Sequence, residues 1–339
     1  MRRSISHTEI AASQTCQARW DLRYGGRLAG DALKPLLRAP ILREGSAWGA
    51  AVAAWHAQPE QLSVAPYLAL AQTIREDVAV IQEAGLPFDL ADSIEMQDRL
   101  TAMFDHYVAI VPKLANLTRL EGEVDVPLPS RSSARASNRY RYVAFFDGLT
   151  TDVNGHRWIV EFKLRGQLTP VHLLQIMPQH RWYAWAWQQE SGEQIAGVLI
   201  DERLNDVPEE PQLLKSGKVS QAAAQRTTPE LYAAACERTG TPVKPELVEL
   251  FGRRVWGQVV PLLFRPSELE EAGRELVSAS KLIRDLDSGE LWPTRNVSRP
   301  HCNGCAYRQI CPAPGDRLLV DSQFERRPPK RLRDLEVIA

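Results

Sequence analysis

The 339-residue chain has no excess of charge: 41 Lys and Arg against 42 Asp and Glu leave a formal net charge of −1. A global electrostatic signal for nucleic acid is therefore missing, and any such signal has to come from local patches. No apolar run reaches the 18 or so residues that a membrane span needs, and the opening MRRSISHTEIAASQ is too polar for the apolar stretch of a secretory signal. The expectation from these two absences is a cytoplasmic protein with no membrane partner. No internal repeat is visible, which argues against an array architecture. Cysteine is sparse, with five in all, and in a reducing compartment these are not expected to form disulfides.

What is present is ordinary in bulk and specific in detail. Hydrophobic content of 44% and charged content of 24% suit a globular chain long enough to bury a large core. Ser6-x-x-Glu9 reads as a capping box, so Cys16 is expected late in a short helix. Helices are predicted over residues 45–58 and 92–111, the second with Ile94, Met96, Leu100, Met103, Phe104, Tyr107 and Val108 at helical spacing. An alternating stretch, Val124 to Leu128, precedes the Arg-rich loop RSSARASNRYR. A hairpin follows, with strands Tyr142 to Leu149 and His156 to Leu164 around Asn154-Gly155.

Downstream, Thr169-Pro170 is expected to start a helix as N-cap and first residue, which Pro178 then kinks or delays. Ile195 to Asp201 and Trp256 to Phe264 read as strands. Residues 202–229 read as an insertion or long loop. Ser267-x-x-Glu270 is expected to cap a helix that runs to about Asp287. The segment from Pro312, with ERRPPKRLRD, looks extended and exposed. The expected division is therefore a domain over 1–315 and a basic, flexible tail over 316–339.

Asp147, Glu161 and Lys163 carry the clearest chemistry. Hydrolysis of a phosphodiester needs acidic oxygens to hold a divalent cation, plus a group that assists the water or stabilises developing charge. Glu161 and Lys163 are two apart on a strand, so they share one face with Ile159, while Val160, Phe162 and Leu164 take the other. A two-residue Asn-Gly loop would send Asp147 to the wrong face. A three-residue loop, Val153 to Gly155 with Gly155 in the left-handed region, pairs Asp147 with Glu161, and the chemistry predicts that turn. E-x-K alone is common in strands, and a surface hairpin with unrelated charges is the plain alternative. Gln179 and Tyr183, spaced i, i+4 on the next helix, strengthen the chemical reading. Tyr183 as core packing within RWYAWAW remains open. Trp182, Trp185 and Trp187 are read mainly as core, with an exposed one able to stack on a base.

Asp147-Gly148, Glu161-x-Lys163 and Gln179-x3-Tyr183 together resemble the PD-(D/E)XK nuclease superfamily in its RecB-like exonuclease branch, including phage-encoded members. The likeness spans roughly residues 5 to 315, and LLKSGKVSQAAAQRTTPELYAAACERTG resembles an insertion of the phage members. The resemblance implies an α/β (α+β) fold, a restriction-endonuclease-like central mixed sheet flanked by helices. It implies that Asp147 and Glu161 hold Mg2+ or Mn2+, that Lys163 assists catalysis, and that Gln179 and Tyr183 position substrate. One departure stands out. The family places a metal-binding histidine in an early helix, a few residues after a glycine, and Gly45-Ser46-Ala47-Trp48-Gly49 has none. His56, His106, Glu121 and Glu123 are the substitutes considered, although a lone helical histidine is more often structural.

Cys302, Cys305 and Cys311 form a C-x2-C-x5-C run, and Cys16 stands far upstream. Together they resemble the iron–sulfur clasp of RecB-like nucleases. Four thiolates suit a 4Fe-4S cluster or tetrahedral zinc. Zinc ribbons usually offer two C-x2-C knuckles; only one exists here, so iron–sulfur is preferred and Zn2+ is the alternative. Joining Cys16 to Cys302 closes almost three hundred residues, removing on the order of 5 kcal/mol of unfolded-state freedom in the chain-entropy model. Cys236 is read as a buried spare thiol. For DNA contacts, Arg165 just past the catalytic strand is preferred. Arg131, Arg135, Arg139 and Arg141 serve either as phosphate contacts or as a solvated loop. The basic tail, Arg326, Arg327, Lys330, Arg331 and Arg333, serves either a partner or solubility.

The reading that follows is a Mg2+- or Mn2+-dependent DNA exonuclease in phage or prophage DNA processing or recombination, with a recombinase or single-strand-annealing protein as a possible partner. The alternative is an iron–sulfur DNA-binding or recombination-accessory protein with weak or no nuclease activity.

Overall fold

The computed structural model describes residues 3–58, 63–114, 116–117, 124–129 and 136–330. The strand Arg157–Arg165 organises them, because both of its faces are covered. Ile159 enters one core with Trp182, Trp187, Leu269, Leu276 and Ile283. Val160, Phe162 and Leu164 enter a second with Trp48, Trp55, Leu100, Phe104 and Tyr107. The first core is roofed by the helices Pro178–Ser191 and Pro266–Ser288, the second by Pro40–Ala57, Ala65–Glu83 and Leu90–Ile110. The result is a helix–sheet–helix sandwich, and each fully buried side chain in it contributes about 1.5–3 kcal/mol by removal from water.

Among the described residues the strands form three sheets. The central one is mixed, in the order β5-β6-β7-β8, with β5 Gly148–Thr151, β6 Arg157–Arg165, β7 Gly197–Leu204 and β8 Gly257–Leu263. β6 and β7 are parallel, which requires a crossover, and the helices Val171–Ile176 and Pro178–Ser191 supply it. β8 returns antiparallel. Gly197 is obligatory here, since a Cβ on it would sit 1.9 Å from the Leu262 carbonyl oxygen. A second sheet has the order β1-β4-β3, with β1 Arg3–Ser6, β3 Val124–Pro129 and β4 Ala136–Ala144. The alternation of Val124, Val126 and Leu128 buries all three. β2 Ala32–Pro35 pairs antiparallel with β9 Phe324–Arg327.

Several local expectations shift. The predicted strand Tyr142 to Leu149 is two strands: β4 ends at Ala144 in the second sheet and β5 starts at Gly148 in the central one. Phe145-Phe146-Asp147 bridges them. Thr169 does not cap a helix; its N–H and hydroxyl both donate to Glu202, and the helix begins at Val171. Pro178 ends that short helix and takes the first position of the next. The long C-terminal helix starts at Pro266, with Glu268 rather than Glu270 reaching back to the N–H of Arg265. Ser6 caps its helix as expected, accepting from the N–H of Glu9. Glu202 belongs to β7, so the irregular stretch starts after Leu204, with one isolated bridge between Leu213 and Val219.

The segment after 315 differs most from the extended tail expected of it. The helix Arg317–Gln323 and β9 fold back onto β2, and Val320 and Phe324 are buried with Leu22, Leu33, Tyr307 and Ile310. Tyr307 stacks on Phe324 and donates to the Leu33 carbonyl. Arg326 is tied to Asp31 and Asp321, and Arg327 to Glu325. Apolar residues hidden inside a basic sequence, together with a partner strand almost 300 positions away, explain why composition misread it.

The hairpin turn is the three-residue one. Asp152 N–H donates to the His156 carbonyl at 2.9 Å, and Gly155 sits at φ 84°. Gly148 pairs with Val160 and Leu149 with Ile159, so the register carries Asp147 to the position opposite Glu161. Replacing Gly155 with valine forces a branched side chain into the left-handed region, at a cost of about 1–2 kcal/mol. Thermal denaturation is expected to show that loss, and an unchanged Tm would mean the turn does not hold the register.

Candidate active site and cysteine cavity

The site grows from the end of the β5–β6 hairpin. Asp147 is fixed at both ends: its N–H donates to the Val160 carbonyl at 3.2 Å, and its Oδ2 accepts from the Phe162 N–H at 2.6 Å. Glu161 is 1% exposed. Its Oε2 is ion-paired with Lys163, and its Oε1 has no hydrogen-bond partner among the described residues. An orphaned carboxylate oxygen in a buried site is costly unless something positive completes it. Burial pushes the Glu161 carboxyl up to about 7, the Lys163 ammonium opposes that shift, and Asp147 reinforces it. Burial disfavours the Lys163 charge, but Glu161 and Asp147 outweigh it and raise its pKa, so the group stays an ammonium.

Gln179 and Tyr183 join the site from the helix Pro178–Ser191. The Gln179 amide donates to the Tyr183 hydroxyl at 2.9 Å. Tyr183 is buried, and burial followed by the charge of Glu161 raises its pKa, so the phenol keeps its proton. Its ring also packs on Phe146. Core packing and site membership therefore hold together for this residue.

Asp147, Lys163 and Arg165 line a cleft of about 780 Å³ between the hairpin end and the helix Pro40–Ala57. Past its first turn, where Ile41 and Leu42 stand, that helix offers only small side chains there: Gly45, Ser46, Gly49, Ala50 and Ala53. No histidine projects from it into the cleft. His56 is used elsewhere, its Nε2 on the Tyr107 hydroxyl at 2.8 Å and its Nδ1 accepting from the Leu114 N–H at 3.0 Å. Burial, then Lys113 and Arg203, lowers its pKa to about 3, so it is neutral and structural. His106 packs edge-on against Trp256, outside the cleft lining. Neither histidine replaces the family ligand. Glu121, Glu123, Arg131, Arg135, Arg331 and Arg333 lie outside the described residues.

Sequence reading missed Glu202 by assigning it to the insertion. It is paired in register with Lys163 across β6–β7 and is fully buried. It accepts from Thr169, from Gln258 at 2.9 Å and from Arg165 at 3.3 Å. Burial works against its charge, but those hydrogen bonds win and lower its pKa. It orients Arg165 at the cleft edge. The available signal was an acid at the end of an apolar strand, IDE. Arg141 is bound to Asp125 across β3–β4, which removes it from the free phosphate contacts. Arg139 is exposed on β4, outside the cleft lining. Trp182 and Trp187 are buried, and the half-buried Trp185 lies against Gly273 and the first core.

The cysteines gather at the other end of the fold. Cys16, Cys302, Cys305 and Cys311 all line one cavity of about 350 Å³ together with Arg19, Arg295 and Arg308. Asn296 N–H lies 3.5 Å from the Cys16 sulfur, the Gln17 amide oxygen accepts from Thr294, and Arg295 donates to the Cys311 carbonyl. The strap 294–296 thus joins the N-terminal thiol to the C-terminal three. As placed, no three His, Cys, Asp or Glu side chains among the described residues are close enough to grip a single metal ion. Cys236 is buried apart, in a small core with Val219, Tyr232 and Phe251.

Residues 4–312 match the PD-(D/E)XK nuclease superfamily. The chain belongs to that superfamily. This nuclease matches no curated protein. Among solved structures it is similar to the crystal structure of SSO0001, at 11% identity and a TM-score of 0.32, over 92% of this chain and 87% of that one. A likeness that loose carries no structural inference. Membership makes metal-dependent nuclease chemistry the family activity, typically with Mg2+ or Mn2+, and the mixed α/β fold is consistent with it. No helix among the described residues is long and apolar enough to cross a membrane.

The buried acid makes a pH prediction. Folding raises the Glu161 pKa from 4.5 to about 7, so the folded state binds the extra proton and stability falls as pH rises through that window. Asp287, pushed up to about 7 by burial, adds a slope of the same sign. The Glu161 share is therefore the difference between wild type and Glu161→Gln. The metal-free variant is expected to lose less Tm than wild type between pH about 5 and about 8. Mn2+ should raise Tm at the upper pH for wild type only. Equal slopes and equal Mn2+ shifts would remove Glu161 from the cation site.

Proposed function

We propose that this nuclease is a DNA exonuclease whose cation site is Asp147 and Glu161. The unpartnered buried Oε1 of Glu161, beside Lys163 and opposite Asp147, carries the reading, because it is a place built for a positive charge. A divalent cation held there supplies charge neutralisation at the scissile phosphate and a more acidic water. Lys163, held as an ammonium, donates to an oxygen on which negative charge grows; it does not take a proton at neutral pH. Tyr183 accepts from Gln179 and so keeps its own O–H to donate toward a phosphate oxygen. Arg165, braced by Glu202, meets the backbone next to the cut. The action on ends, the role in phage or prophage DNA processing or recombination, and a recombinase or single-strand-annealing partner rest on the resemblance of the motifs. A cytoplasmic site of action fits them.

We further propose that Cys16, Cys302, Cys305 and Cys311, which line one cavity, hold a 4Fe-4S cluster; the reading rests on the spacing of the four thiols and their shared cavity. Residues 1–315 then form the nuclease domain, with 317–327 as a packed strap against it.

Two measurements test these readings. Purified protein with Mn2+ should degrade DNA, and Lys163→Ala should lower the rate by about 100-fold or more in protein that circular dichroism shows to be folded at the assay temperature. Absence of any metal-dependent cleavage, with the cysteine site loaded, would leave the accessory alternative. Anaerobically purified protein should be brown and contain iron and sulfide in equal amounts, and Cys16→Ser should lose both colour and thermal stability. Colourless protein with one zinc would overturn the cluster.

A further inference from the structure

Phe145 is 58% exposed, two residues before Asp147, and lines the same cleft as Asp147 and Lys163. Its neighbour Phe146 points the other way, buried against Tyr183 and Trp187. That anchor, and the hydrogen bond from Asp147 to Val160, leave the backbone of 145–147 no freedom to tuck Phe145 inside. Across the cleft, Ile41 is 44% and Leu42 58% exposed, on the first turn of the helix Pro40–Ala57. Three large apolar side chains thus stand in water at the mouth of a site whose other walls carry Lys163, Arg38 and Arg165. An exposed apolar cluster of this kind, set among cations, matches what a nucleic acid strand presents: a charged backbone with a flat apolar face beside it.

We infer that Phe145, with Ile41 and Leu42, is a platform for one unstacked base of a single-stranded DNA end, next to the phosphate that Lys163 and a cation on Asp147 and Glu161 would hold. The inference rests on the nuclease reading above and adds the form of the substrate. Bases inside a duplex stack on each other and offer no free face, so only a single strand or a frayed end can use the platform. The cations take the phosphates on either side, and the ring takes the base between them. Because stacking is sequence-tolerant, the platform selects for strandedness and not for base identity.

The test uses the full wild-type chain with Ca2+ in place of the catalytic cation, so that DNA is bound and not cut. The probe is a short single strand with 2-aminopurine at its end, whose fluorescence falls on stacking. The protein is expected to quench the probe. Adding Phe145→Ala should abolish the quench and weaken binding about tenfold, whereas Phe145→Trp should keep both. Blunt duplex, bound more weakly by the parent, should be indifferent to either change. Because Phe145 is exposed, the Tm should stay unchanged, and a Phe145→Ala protein of unchanged Tm that still quenches and binds like its parent overturns the platform. If the parent binds no DNA of any form, the nuclease reading falls and the platform with it. If it binds DNA and quenching ignores Phe145, the platform alone falls.

Discussion

A carboxylate buried on a strand with no solvent-facing side is the constraint that the active end of this molecule is built around. β6 is covered on both faces, and Glu161 interrupts an otherwise apolar run at the most enclosed point. A lone ion there would be expelled or protonated. Lys163 offsets part of the cost, and the second carboxylate, Asp147, adds to it. The site is therefore held in a state of unmet charge by the same packing that makes the strand stable. Substituting an apolar residue at 161 would remove the buried carboxylate but leave Lys163 without its ion-pair partner, so folding and the proposed function share this residue.

The neighbouring strand extends this logic. Glu202 is as buried as Glu161, but it is satisfied by Thr169, Gln258 and Arg165. Two acids on adjacent strands end with opposite shifts, because Glu202 accepts from several donors while Glu161 has Lys163 alone and a second carboxylate nearby. The satisfied one braces an arginine, and the unsatisfied one is the proposed cation ligand. Thr169 was expected to cap a helix and instead spends its hydroxyl on that division of roles.

Much of the candidate site's geometry could be read in the sequence because its determinants are local. The offset of Glu161 and Lys163, the glycine at 155 and the requirement that Asp147 face Glu161 lie within twenty residues, and the turn chemistry selects the register. What stayed hidden depends on distant partners. The break between β4 and β5 follows from β4 pairing with β1 and β3, which no pattern in RYVAFFDGLT announces. The length of β7, and with it the place of Glu202, is set by β8 almost sixty residues on. Arg141 looked free until Asp125 was brought beside it. The segment 317–327 reads as charge because its apolar residues are few, yet Val320 and Phe324 complete a core assembled from both ends of the chain.

That joining of the ends has a temporal side. Arg3 is paired with Asp287, β1 with β4, Cys16 with the strap 294–296, and β2 with β9. During synthesis β1 meets β4 about 140 positions on, but the partners of Arg3, Cys16 and β2, some 280–295 positions on, arrive about 15–60 s later than these residues at ordinary elongation rates. Until then β2 is without its partner strand β9, and Cys16 is without the strap 294–296. The contacts that join the two regions therefore close only once residues 287–327 have been made.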